Sequence, residues 1–177
     1  MTALNRLRAG LDALYFAAGV LAALCLIAIL SIVVAQMVAR WSGLTFPGAP
    51  QYAGYAMAAA SFLAFAHALN RGSHIRVSLL VNAVPEAARR WLDLWGFAIG
   101  AAVMWYFVWF AQRFVFWSWK FNEVSQGQDA TPLWIPQSAM LIGAVILAVA
   151  LTDNLLTLWF TREHKIQRDL VDQSFGE

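Results

Sequence analysis

The sequence predicts an all-α integral membrane protein of four transmembrane helices, and three observations predict it. Hydrophobic residues make up 61% of the 177 positions and charged residues 12%, where soluble proteins carry about 45–50% and about 25%. A soluble fold has no way to hide that excess, because it still needs a polar surface, and a chain this apolar does not stay disordered. The second observation is length. A span takes about 20 apolar residues at ~1.5 Å each against ~30 Å of hydrocarbon, and such runs recur four times. The third is the placement of charge, which falls between the runs and mostly on one side.

Between Asp12 and Arg40 lie 27 residues without a charge, and Leu14–Val38 is the first expected span. Arg6 and Arg8 precede it, as in a signal peptide. The run is far longer than a signal core and ends without a convincing small-residue cleavage site, so it is expected to stay as a helix. Trp41–Pro50 carries Gly43, Pro47, Gly48 and Pro50 and reads as a loop. Residues 52–69 form the second span. Trp91–Trp117 gives the third, with an uncharged centre at Leu94–Gln112, and Trp134–Phe160 gives the fourth, uncharged until Asp153. The whole chain is expected to be one membrane domain with a charged tail over 161–177.

Orientation follows from the basic residues. Arg6, Arg8, Arg71, Arg76, Arg89, Arg90, Arg162, Lys165 and Arg168 share one side, nine of the twelve; Arg40, Arg113 and Lys120 take the other. Both termini and the middle loop are therefore expected in the cytoplasm. Indole prefers the headgroup level, and Trp41, Trp91, Trp95, Trp117, Trp119, Trp134 and Trp159 all fall at expected span ends. Trp105 and Trp109 alone lie mid-span. Val77–Val84 is too short to cross and lies among basic residues, which predicts a short interfacial helix on the cytoplasmic surface. Pro85 then suits the first turn of the next helix, and Glu86 its positive end.

Ionisable groups inside a bilayer are costly and usually mark function. Arg113 and Asp153 lie near opposite ends of their spans, as anchors or inter-helix partners would; a midplane ion site would bring them together. Of the three histidines, His74 and His164 lie outside the spans, and only His67 is placed to face a bundle interior. A bis-histidine haem site needs two. The single cysteine, Cys25, allows no internal disulfide and no cysteine-based zinc site. No nucleotide motif, metal cluster or nucleophile–base pair is present, so an enzyme is disfavoured and no cofactor or nucleic-acid partner is expected. Gly96-x-x-x-Gly100 offers a small-residue face for helix packing, within the chain or against a partner, and Ala56, Ala60, Ala64 and Ala68 offer another.

Two segments carry a family resemblance. Arg71-Gly72-Ser73-His74-Ile75-Arg76-Val77 resembles the "R-x-G-x-H-I-x-V" type signature of the small membrane subunit of tripartite ATP-independent periplasmic (TRAP) transporters, in a compressed form with Arg directly before Gly. Ser78 stands where members often carry an aspartate. Thr131-Pro132-Leu133-Trp134-Ile135-Pro136-Gln137, followed by Gly143, looks like the family's start of the fourth helix, where an aromatic often takes the place of Gln137. The motif residues have physical roles of their own. Gly72 permits a turn, Arg71 and Arg76 suit an anionic lipid surface, His74 suits a helix cap or headgroup, and Pro132 and Pro136 bracket Trp134 at the interface.

The resemblance implies a multi-pass subunit of the bacterial inner membrane in a three-part uptake system. A periplasmic receptor would deliver an organic acid, and a large permease would carry it inward with sodium ions. The small subunit would act as scaffold and help the receptor dock. Candidates for docking near the outer span ends are Arg40, Lys120, Asn122, Glu123, Gln126, Gln128 and Asp129, with Lys120 and Glu123 foremost. The rival reading is a four-helix membrane anchor of a redox complex that binds haem or quinone.

Overall fold

The computed structural model describes residues 3–70 and 86–161. Four helices account for most of them: α1 (Ala3–Trp41), α2 (Ala49–Asn70), α3 (Glu86–Lys120) and α4 (Trp134–Thr161). Among the described residues no strand forms beyond one isolated bridge between Val124 and Pro132. Each helix is long and apolar enough to cross a membrane, and the chain is an all-α membrane protein. The expected interfacial helix at Val77–Val84 lies outside the described residues, as do Arg71, Gly72, His74 and Arg76.

The helices stand as a row rather than a closed bundle. α1 packs on α2, α2 on α4, and α4 on α3, while α1 and α4 meet only marginally. The row therefore runs α1–α2–α4–α3, with the second and fourth helices in the middle. Alternation of chain direction leaves the loops 42–48 and 121–133 at one end, the loop end, and the starts of α1 and α3 with the last turns of α2 and α4 at the other, the terminal end.

In lipid the apolar effect does not drive helices together, so close backbone approach and packing must do so. The buried residues are accordingly small. Ala18, Ala22, Ala66 and Ala150 surround Tyr15, Leu63, Leu69 and Ile146 where α1, α2 and α4 meet. Ala144 and Ala148 pack with Val108 where α4 meets α3. Two glycines mark the tightest approaches. A Cβ on Gly143 would lie 2.6 Å from the Phe62 carbonyl carbon, so α4 touches the α2 backbone itself. A Cβ on Gly19 would lie 2.7 Å from His67 Cγ, so α1 receives a ring from α2.

Gly96 and Gly100, expected to serve packing within the chain or against a partner, make no tight crossing within the chain. Within the chain nothing comes within 4 Å of a Cβ on Gly96, and Gly100 meets only the Leu151 side chain, at 3.6 Å.

Full burial on α1 is confined to its terminal half, and beyond it Cys25, Ile29, Ile32, Gln36 and Ala39 are only half-buried. Tyr15, Ala18 and Ala22 are buried, and no residue from Cys25 to Trp41 is. Polar groups at membrane depth are satisfied locally, as a bilayer requires. The Trp105 indole N–H donates to Thr152 Oγ1 at 3.1 Å, and that hydroxyl donates to the Ala148 carbonyl at 2.7 Å. Trp105 is thus mid-span because α4 offers it an acceptor. Trp109 lies under the Arg113 guanidinium, 5.1 Å from ring centroid to Cζ, a cation–π pair.

Helix ends at the loop end follow from two left-handed residues. Gly43 (φ 71) ends α1; Leu44 N–H donates to the Ala39 carbonyl at 2.9 Å and Gly43 N–H to Arg40 at 3.3 Å. Asn122 (φ 51) ends α3, with Glu123 N–H to Ser118 at 3.0 Å and Asn122 N–H to Trp119 at 3.2 Å. Both are Schellman caps, and asparagine tolerates the left-handed position better than other side chains.

The crossing at Gly143 makes a direct prediction. Overpacking a tight site costs about 1–3 kcal/mol, so Gly143→Val should lower the unfolding temperature of the detergent-purified chain by at least about 3 °C. Gly96→Ala, with open space around the new methyl group, should leave it unchanged or slightly raised. Equal effects at the two positions would contradict the assigned crossing.

Candidate functional site: an ordered hairpin and two apolar flanks

The segment that joins α3 to α4 is long enough to flop, yet it is folded. Ser125 N–H donates to the Thr131 carbonyl at 2.8 Å and Leu133 N–H to the Glu123 carbonyl at 2.9 Å, which closes a small hairpin about the Val124–Pro132 bridge. Ser125-Gln126-Gly127-Gln128-Asp129 forms its tip, with turn chemistry throughout. Ser125 Oγ accepts from Gly127 N–H at 3.1 Å.

Asp129 ties this tip to α2. Its Oδ1 accepts from Ser125 Oγ at 2.9 Å. Its Oδ2 accepts from Tyr55 Oη at 3.0 Å and, weakly, from Thr131 N–H at 3.4 Å. Burial pushes this carboxyl up, but the hydrogen bonds from Thr131, Ser125 and Tyr55 outweigh it and hold the group down at about 2. The tip sits so close to the start of α2 that side chains are excluded on both sides. A Cβ on Gly48 (φ 80) would lie 2.9 Å from Asp129 Cβ, and one on Gly127 2.7 Å from Gln51 Nε2. Ala130 holds φ 45, a conformation that costs a non-glycine residue roughly 1–2 kcal/mol. The surrounding ties over-determine it.

The hairpin's remaining charge points outward. Lys120 Nζ lies 4.9 Å over the Trp117 ring. Glu123 is exposed, with one oxygen accepting from the buried Ser118 hydroxyl at 2.7 Å. Gln126 and Gln128 are exposed as well. Asn122 and Asp129 have structural duties instead, as helix cap and hairpin tie. Arg40 is exposed at the end of α1. Pro132 takes part in the bridge and its carbonyl accepts from Ile135 N–H at 3.2 Å. Trp134 opens α4, and Pro136 lies in its first turn, where a missing N–H leaves no ladder bond broken.

The second feature is the apolar surface of the outer helices. On α1, Leu24, Ile27, Leu30, Val34 and Val38 are exposed; on α3, Trp95, Ile99, Val103, Tyr106 and Phe110 are exposed. Gly96 sits on that open surface of α3. A polar route through the row is not visible among the described residues. Asp153 is half-buried near the terminal end, beside Asn154, whose amide donates to the Ala150 carbonyl at 2.8 Å. Asn70 Nδ2 donates to Asp12 Oδ1 at 3.4 Å at that same end. His67 is filled in against Gly19, with the Phe16 ring edge-on at 6.2 Å. No group of three or more His, Cys, Asp or Glu able to hold a metal occurs among the described residues.

Four helices long and apolar enough to cross a membrane, with one ordered hairpin as the largest described feature outside them, define a multi-pass membrane component. The sequence profile of the DctQ component of tripartite ATP-independent periplasmic transporters matches residues 29–161, and the chain belongs to that family. It is therefore a multi-pass inner-membrane protein and a small permease component of a TRAP transporter. No curated protein and no solved structure matches the chain.

The Asp129 tie has a defined pH window. The carboxyl lies below its ordinary 3.8 when folded, so its stabilisation is complete above that value and is lost as pH falls toward 2. Hydrogen exchange at the Ser125 and Leu133 amides, corrected for intrinsic rate, should therefore be flat from neutral pH down to about 5. Asp129→Ala should speed it about tenfold or more at neutral pH. Unchanged exchange in that variant would remove Asp129 as the tie.

Proposed function

We propose that this chain scaffolds the large permease subunit of a TRAP transporter and offers the receptor an ordered landing site, in sodium-coupled uptake of an organic acid. In this reading the loop end faces the periplasm and both termini the cytoplasm, as the nine basic residues on the terminal side support. The membrane spans lie at approximately 14–38, 52–69, 91–117 and 134–160. The chain itself catalyses nothing, and the solute does not pass through it.

The observation that carries this reading is the row of helices. Transport needs a path with polar groups facing each other near the midplane, and the described interior of the row is mostly alanine and aliphatic side chain, with the buried polar groups Tyr15 and Asn154 toward its terminal end. What the row does offer is two long apolar flanks, α1 and α3, suited to a membrane partner. Gly96 and the surface beside it allow a partner helix to approach α3 closely. The family names a tripartite transporter, and a large permease and a soluble receptor are the partners that such a system supplies. Arg71, Gly72, His74 and Arg76 are assigned to holding the cytoplasmic loop at the lipid surface.

Receptor contact is assigned to the hairpin, through Lys120 and Glu123. A soluble receptor must land and leave within each cycle, and rim charges steer such encounters more than they set affinity. A rigid hairpin loses little conformational freedom when the receptor lands.

One experiment separates the two roles. Lys120→Glu or Glu123→Lys should lower receptor-dependent uptake in whole transporter, most strongly at low salt, while the two membrane subunits still co-purify. Gly96→Leu should instead reduce recovery of the large subunit while the small subunit alone keeps its unfolding temperature. If charge reversal leaves uptake unchanged at every ionic strength, the hairpin is not the landing site.

A further inference from the structure

The apolar flank of α3 carries one charge within the span 91–117. Trp95, Ile99, Val103, Tyr106 and Phe110 recur every three or four residues along it, and the same spacing continues to Arg113 and Trp117, both exposed. The buried residues Leu94, Ala101 and Val108 lie on the opposite side of the helix, where Val108 meets Ala144 and Ala148 of α4. Arg113 therefore stands on the flank itself, on the side of α3 that faces away from α4.

This cation has no acid within its own chain. Its guanidinium lies over the Trp109 ring at 5.1 Å, and among the described residues no carboxylate forms an ion pair with it. The chain has two carboxylates at the loop end, Glu123 and Asp129. The Ser118 hydroxyl engages the first, and Tyr55, Ser125 and Thr131 engage the second. The uncharged stretch Leu94–Gln112 that precedes Arg113 has 19 residues, ~28 Å as a helix, which puts the guanidinium at the edge of the hydrocarbon. Facing lipid, it is free to reach water and headgroups. Under a helix laid along the flank it loses both, and a covered charge at membrane depth needs a partner of opposite sign.

We propose that the helix of the large subunit that packs on α3 presents an aspartate or glutamate at the loop-end edge of the membrane, and that this carboxylate pairs with Arg113. The pairing rests on the reading that the large subunit covers the α3 flank. A guanidinium stacked on an indole keeps N–H donors in its own plane, the fork that a carboxylate accepts at two points. The aliphatic and aromatic contacts along the flank are similar from turn to turn, whereas one ion pair at one end fixes the register of the two helices.

The test is recovery of the large subunit with a tagged small subunit from membranes that hold the whole transporter. Arg113→Glu should lower recovery about tenfold or more, and Arg113→Gln by less. Replacing one acid near the outer end of a large-subunit helix with lysine should lower recovery with wild type and restore it with Arg113→Glu. Gly96→Leu tests the flank independently of the charge. Loss with Gly96→Leu but none with Arg113→Glu would overturn the ion pair and leave the scaffold reading standing; loss with neither would overturn both. Loss with Arg113→Glu that no acid replacement restores would also overturn the pair. Unfolding temperatures of the small subunit alone report whether each variant folds, and Arg113→Gln decides the matter if Arg113→Glu does not. Photo-crosslinking from benzoylphenylalanine at position 110, about one turn from Arg113, should capture a large-subunit segment with an acid within one turn of the captured residue. Capture of lipid, or of a segment without an acid, would overturn the pair.

Discussion

Helices in lipid gain nothing by hiding apolar side chains from a solvent that is itself apolar, so their association depends on how closely the backbones can approach. In this protein that constraint is met at two points. Gly143 brings α4 onto the backbone of α2 at Phe62, and Gly19 lets α1 accept the His67 ring. With alanines filling the neighbouring positions, these contacts hold α1, α2 and α4 in fixed order, and α3 joins through Val108 and the Trp105–Thr152 hydrogen bond. A row held along its middle leaves both end helices with long faces uncovered. Those faces are the surfaces on which the proposed scaffold role rests.

The hairpin depends on the same framework. Tyr55 reaches Asp129 from α2, so the position of the tip is fixed by where α2 stands relative to α3 and α4. The carboxylate gathers donors from the hairpin and from the helix, and the tip is locked across neutral and mildly acidic pH. Glycines at 48 and 127 let the two segments meet without a side chain between them. Lys120 and Glu123 are thereby presented from a stable edge rather than from a loose loop.

Much of the architecture was legible because membrane helices leave a one-dimensional record. Uncharged length marks the four long helices, and tryptophans such as Trp41, Trp119, Trp134 and Trp159 stand near their ends. Contacts between helices leave no such record. The Gly96-x-x-x-Gly100 spacing suggested a packing face, yet the tight crossings within the chain lie at Gly19 and Gly143, whose importance comes from what stands opposite on another helix. Trp105 looked misplaced until Thr152 supplied its acceptor. At the hairpin, Ser125, Gly127 and Asp129 could have been read as a turn from spacing alone, but Tyr55 is 74 positions away in sequence. Asp129 and Asn122 also look like free polar groups in the sequence, whereas a carboxylate tie and a helix cap occupy them. Of the family motif, Pro132, Trp134 and Pro136 have clear places at the start of α4.

The central claim is that the row is a fixed scaffold while its partner moves. Spin labels at Leu44 and Phe121, exposed positions at the loop ends of the two outermost helices, report its width directly. Cys25 would be replaced by alanine, and electron–electron distances would be measured in the assembled transporter with and without sodium and solute. One unchanged distance distribution in every condition is the predicted result. A shift of several ångströms between conditions, on the scale of packed helices sliding or hinging, would show that the small subunit takes part in the movement and would contradict the account.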